Sequence, residues 1–95
     1  MKFRLTVKRK LSVTEFGEAE PVKAASEDGT FEAQAINFAK TACNAYIREW
    51  SENTGVKVRS QKDWAKNMKT KAMEKQIMVQ NGTQPENYVF VLEEA

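Results

Sequence analysis

The chain has 95 residues, of which 41% are hydrophobic and 29% are charged, and its formal net charge is +2. This is an ordinary globular composition, so we expect a single compact domain over residues 1–95. The chain has no histidine and only one cysteine, which excludes serine–histidine and cysteine–histidine nucleophiles, internal disulfides and zinc cages.

The N-terminal segment MKFRLTVKRKL alternates apolar and charged residues, and a signal peptide would instead have a continuous apolar centre. No apolar run approaches the roughly 20 residues that a bilayer-crossing helix needs. The single cysteine is typical of a reducing compartment. We therefore expect a cytoplasmic protein that has no membrane partner and no cofactor. Homodimerisation would be a natural supplement to the small core of so short a chain.

The first element predicted is a strand. Apolar residues occupy the odd positions from Phe3 to Val13, except for Arg9, and polar residues occupy the even ones. This is the pattern of a strand with one buried face, which Arg9 interrupts, as at a bulge. The segment from Glu15 to Glu18 contains Gly17 and predicts a hairpin turn. A weaker second strand is predicted over 21–25.

A long helix is predicted from about Thr30 to Asn53. Its apolar residues cover an arc of roughly 200° on a helical wheel, which is wider than the stripe of a simple surface helix. The segment Asn53-Thr54-Gly55 ends it, and Gly55 is the expected left-handed cap.

A short connector or strand follows at 56–59. Ser60 and Asp63 resemble a capping box, which predicts a second helix over 61–74. Residues 76–79 have strand-like composition, Asn81-Gly82 predicts a turn, and 87–92 is a final strand whose nearly continuous apolar run favours a central position covered on both faces. The fold class predicted is α+β, in which a small, mainly antiparallel sheet has two helices on one face, roughly in the order β-β-α-(β)-α-β-β.

Two carboxylates and one thiol are candidates for chemistry. Glu32 and Glu49 lie within the apolar arc of the predicted helix, where a buried carboxylate could act as a general acid or base. We favour solvent-exposed residues near the helix ends, because no companion motif accompanies them. Cys43 is expected to be a buried structural thiol. We predict a protein that is not an enzyme and has no catalytic residue.

Basic residues concentrate in the segment 57–75. On the predicted helix, Lys62, Lys66 and Lys69 would form one stripe, which Lys57 and Arg59 would extend. Such a stripe fits a phosphate backbone, although a solvated helix face is the commoner explanation. Lysine greatly outnumbers arginine here, so binding would be directed to the backbone rather than to base sequence. The even face of the first strand would extend this surface if it lay nearby; its bases are Lys2, Arg4, Lys8 and Lys10.

Acidic residues concentrate in the segment 15–32. Phe16 stands among Glu15, Glu18 and Glu20, and an apolar anchor ringed by acids suits a basic protein partner. An alternative is that Phe16 folds back onto the sheet. We predict a small regulatory protein that binds another protein, of adaptor or inhibitor type. Non-specific nucleic-acid binding is the second hypothesis and a carboxylate-dependent enzyme a distant third.

Overall fold

The computed structural model describes the whole chain, residues 1–95. Seven strands and one helix form a small α+β fold, which confirms the predicted class but not the predicted second helix. The elements are β1 (Lys2–Lys10), β2 (Glu20–Pro21), β3 (Thr30–Glu32), α1 (Ile36–Thr54), β4 (Lys57–Gln61), β5 (Ala65–Lys66), β6 (Met73–Asn81) and β7 (Gln84–Glu94).

The strands form one antiparallel sheet in the order β2-β1-β7-β6-β4. The short strand β3 also pairs with β1, and β5 also pairs with β6. The long strands β6 and β7 are joined at the predicted Asn81-Gly82 turn, where Asn81 pairs with Gln84 and Gly82 has a φ of 63°. A tight hairpin turn of this kind requires a positive φ, which glycine adopts without strain.

The predicted alternation of β1 is confirmed. Phe3, Leu5 and Val7 are buried on one face of the sheet. Leu11 and Val13 continue the pattern in the sequence, but the strand ends before them at Lys10. The chain leaves the sheet here because the Leu11 N–H donates to the Glu15 carbonyl oxygen at 2.9 Å and closes a turn.

The final strand, β7, is central as predicted, since it lies between β1 and β6. Phe90 and Leu92 are buried in the core that the sheet shares with α1. The opposite face of β7 carries no helix, so the prediction of a covering layer on both faces is wrong. Val89 lies on that opposite face, between Lys8 and Gln76 of the neighbouring strands, and is nevertheless only 2% exposed.

The helix begins at Ile36, later than predicted. Residues 30–32 pair with β1 instead, and the Phe31 ring stacks on Phe3 at a centroid distance of 5.9 Å. The buried face of α1 is a narrow stripe at four-residue spacing, and Phe38, which the sequence placed in the apolar arc, is 62% exposed. The stripe consists of Ala39, Cys43, Ile47 and Ser51. Gly55 caps the helix with a φ of 73°, as predicted.

The predicted second helix over 61–74 is wrong. This segment contains β5, a turn and the start of β6. The Asn67 side-chain oxygen accepts hydrogen bonds from the N–H groups of Lys69 and Thr70 at 2.9 and 3.2 Å. An asparagine that bonds the backbone two and three residues ahead stabilises a turn at the expense of a helix.

The second strand is also shorter than predicted. Only Glu20 and Pro21 pair with β1, and Val22 then turns into the core, where it is fully buried. No helix of the protein is both long enough and apolar enough to cross a membrane.

Candidate functional site

The sheet has two different faces. One face packs against the buried stripe of α1. The other face has no covering helix, and we call it the open face. Paired residues in antiparallel strands point to the same side of a sheet, so the strand register identifies the residues of the open face. The bases of β1 lie there, namely Lys2, Arg4, Lys8 and Lys10, together with the residues that pair with them and their neighbours in β7 and β6.

Charge is unevenly distributed along the open face. At one end, Lys2 pairs with Glu32 and Arg4 pairs with Glu93. At the other end, Lys10 lies opposite Asn87, which in turn pairs with Met78. Lys2 and Arg4 therefore have acidic partners in the neighbouring strands, whereas Lys10 has a neutral one.

A groove of about 370 Å³ lies at this second end, and we call it the open-face groove. Lys10 lies at one side of it, and Lys62 lies at the other side, where its N–H donates to the Gln76 carbonyl oxygen at 2.9 Å. No carboxylate lines the groove. The other lining residues are neutral: Leu11, Ser12, Val13, Ser60, Gln76, Ile77, Met78 and Asn87.

The loop after β1 forms part of the groove wall. The Ser12 hydroxyl oxygen accepts the N–H of Glu15 at 3.0 Å, which tightens the turn that ends β1. Leu11 and Val13 remain exposed in this loop, and Val13 is 86% exposed. The groove thus offers apolar contact beside two ammonium groups and several amide and hydroxyl groups.

Phe16, predicted as a partner anchor, lies against the sheet. It forms a bridge with Lys10, and the Lys8 ammonium nitrogen is 4.4 Å from the centre of its ring, which is cation–π distance. Phe16 is still 42% exposed. The predicted acidic neighbours Glu15, Glu18 and Glu20 are all exposed.

The predicted lysine stripe has a different arrangement from that of a helix. Its members follow one edge of the sheet: two in β4, one after it, one in β5 and one in the turn that follows β5. Lys62 alone lines the open-face groove with Lys10. The five residues are Lys57, Arg59, Lys62, Lys66 and Lys69.

The candidate catalytic groups are separated. Glu32 lies in β3, exposed, with a carboxylate oxygen 3.6 Å from the N-terminal amine. Glu49 is exposed on α1. Burial raises the pKa of Cys43 to about 12, so the thiolate is disfavoured. No group of three or more histidine, cysteine, aspartate or glutamate side chains is arranged to hold a metal ion.

The sequence predicted the basic residues on the two sides of the open-face groove, but it did not predict the neutral residues between them. The even-numbered bases of β1 and Lys62 were both candidates. Gln76, Met78 and Asn87 carried no signal of their own, since they reach the site through the pairing of β6 and β7 with distant strands.

Comparison with known proteins gives no match to a family model, to a curated protein or to a solved structure.

Proposed function

We propose that this protein binds single-stranded nucleic acid in the open-face groove, mainly through phosphate contacts. The observation that supports the proposal most is the position of Lys10 and Lys62 on opposite sides of the open-face groove. No carboxylate lines this groove. Two ammonium groups on opposite sides of a groove attract a polyanion that lies between them.

The neutral residues of the groove favour a single strand over a duplex. Gln76 and Asn87 offer amide groups, and Met78 and Leu11 offer apolar contact. Only unpaired bases expose their flat faces and their Watson–Crick edges to such groups. No arginine lines the groove, and the arginine fork is the group that most often reads guanine. We therefore expect little dependence on base sequence.

The first test is the affinity of a double variant. Lys10→Gln with Lys62→Gln removes both ammonium groups, and we expect single-stranded DNA and RNA to bind at least about tenfold more weakly, because two phosphate contacts are lost. Fluorescence anisotropy with labelled single-stranded DNA, RNA and duplex DNA measures the change.

The matched control is Lys23→Gln with Lys40→Gln. It lowers the net charge equally, but both residues lie outside the open face, one after β2 and one on α1. The control should bind like the unmodified protein. Equal weakening in both double variants would mean that only net charge matters, and the assignment to the groove would then be wrong.

A protein partner at the acidic turn is the second candidate function. It is favoured by the partial exposure of Phe16 among exposed Glu15, Glu18 and Glu20. If this surface is a binding site, Phe16→Ala should abolish cross-linking to a specific partner, because an apolar anchor is lost. Phe38→Ala is the matched control, since Phe38 is an exposed phenylalanine on α1. Cross-linking that survives Phe16→Ala would remove this candidate.

A further inference from the structure

Lys75 is a charged side chain buried between the helix and the sheet. It is 8% exposed. It pairs with Phe90 of β7, and its neighbours along the same face of β6 are the core residues Ile77 and Val79. Lysine is almost never buried to this degree unless it is paired with an opposite charge.

The Lys75 ammonium has no carboxylate partner. The protein's two ion pairs join the N-terminal amine to Glu32 and Arg9 to Glu86. The ammonium nitrogen is instead 3.3 Å from the Asn44 side-chain oxygen, and 5.7 Å from the centre of the Trp64 ring. An ammonium has three N–H donors, and the structure provides one neutral acceptor for them. The lysine stem is buried, and the remaining donors of its ammonium have no acceptor in the protein.

A groove of about 480 Å³ opens beside Lys75, and we call it the helix-side groove. It contains two more bases, Arg48 of α1 and Lys57 of β4, and no carboxylate. Its volume is within the range of small-molecule sites. The remaining lining residues are Asn44, Ile47, Ser51, Val56, Val58 and Gln61.

We propose that the helix-side groove binds a small molecule through a compact oxyanion, a phosphate or a carboxylate, which lies on the Lys75 ammonium between Arg48 and Lys57. The oxyanion supplies the opposite charge and the hydrogen-bond acceptors that the buried amine lacks. Strand alternation places Lys75 on the face opposite to Gln76 and the open-face groove, so this site is separate from the proposed nucleic-acid site.

The test compares phosphate with chloride at constant ionic strength. Saturating phosphate should raise the melting temperature by about 5 °C, since a ligand that binds only the folded state stabilises it. It should also shift the NMR signal of the Trp64 indole N–H, which donates to the Asn44 side-chain oxygen at 3.3 Å. Half-saturation is expected below about 1 mM phosphate. Screening by a simple salt would not saturate at so low a concentration.

Lys75→Met is the decisive variant. Methionine fits a buried site without a charge, so the fold should keep or increase its melting temperature in chloride, while the response to phosphate disappears. Lys40→Met is the matched control on α1, where the residue lies outside the helix-side groove, and it should respond like the unmodified protein.

Three probes distinguish the sources of the oxyanion. Phosphate or acetate that acts only when Lys75 is present would support the site and identify its ligand class. A response to an oligonucleotide without terminal phosphates, and to neither small anion, would overturn the small-molecule proposal. No response to any probe, or an equal response from Lys75→Met, would also overturn it. None of these outcomes depends on the Lys10 and Lys62 variants.

Discussion

Gly29 occupies a position in the fold where any other residue would be strained. It is buried with a φ of 81°, and a side chain there would overlap the Leu5 carbonyl oxygen and contact the Pro21 Cβ at 3.3 Å. Its own carbonyl oxygen accepts the Leu5 N–H at 2.9 Å. The backbone of the loop before β3 therefore lies directly against β1, at a distance that only glycine allows.

We expect Gly29→Ala to lower the free energy of unfolding by about 2–3 kcal/mol, because it combines a strained φ with a steric overlap. Gly82→Ala is the matched control. Gly82 also has a positive φ, of 63°, but nothing lies within 4 Å of an added Cβ, so the loss there should be nearer 1 kcal/mol. Urea unfolding measures both, and equal losses would contradict the close approach to Leu5.

At the scale of the element, the turn between β5 and β6 determines that the basic segment 57–75 forms strands rather than a helix. Besides its two side-chain acceptor bonds, Asn67 donates its backbone N–H to the Ala72 carbonyl oxygen at 2.8 Å. Its side-chain nitrogen donates to the Glu74 carboxylate at 3.0 Å. One residue thus closes the turn from both sides.

We expect Asn67→Ala to destabilise the protein by about 1–2 kcal/mol, since three side-chain hydrogen bonds are lost. The sign of the effect distinguishes a turn from a helix in this segment. In a helix, the same change would stabilise, because alanine is a better helix former than asparagine. Asn53→Ala in α1 is the control, and it should be neutral or slightly stabilising. Stabilisation by Asn67→Ala in thermal unfolding would contradict the turn.

The elements that local pattern predicted are those whose pattern is longest. The alternation of Phe3, Leu5 and Val7 predicted β1, and a wide apolar arc that includes Ala39, Cys43 and Ile47 predicted α1. The segment 61–74 has good helix formers and a plausible apolar face, yet it forms β5, a turn and the start of β6. Pairing with β6 and the Asn67 turn outweigh a propensity of a few tenths of a kcal/mol per residue.

The candidate site was partly predictable for the same reason. Lys10 and Lys62 were both predicted as possible phosphate contacts, because each is a charged residue within a local sequence pattern. Their proximity depends on the sheet order, in which β7 and β6 lie between β1 and β4. Lys75 lies directly after the predicted helix over 61–74, and its burial follows only from the register that pairs it with Phe90.

At the scale of the whole molecule, charge is divided between the two edges of the sheet. The edge formed by β4, β5 and the turn after them contains six bases and one acid, Asp63, between residues 57 and 71. The segment that supplies β2 and β3, residues 15–32, contains six acids and one base, Lys23. The net charge of +2 is therefore unevenly distributed over the sheet, and a polyanion would be attracted to the basic edge.

This division also determines how salt should act. Steering by exposed charges weakens as the screening length shortens. Bound phosphates add a second dependence, because each contact with a single strand releases counterions and contributes about 0.7 to the slope of log affinity against log salt. The slope therefore gives the number of phosphate contacts, which an affinity measured at one salt concentration does not give.

The most direct test of the nucleic-acid proposal is therefore this slope, measured by anisotropy with single-stranded DNA between about 50 and 200 mM salt. We predict that Lys10→Gln with Lys62→Gln reduces the magnitude of the slope by about 1.4, for two lost phosphate contacts, while Lys23→Gln with Lys40→Gln leaves it unchanged. An unchanged slope in the first variant, or no binding by the unmodified protein at low salt, would contradict phosphate binding in the open-face groove.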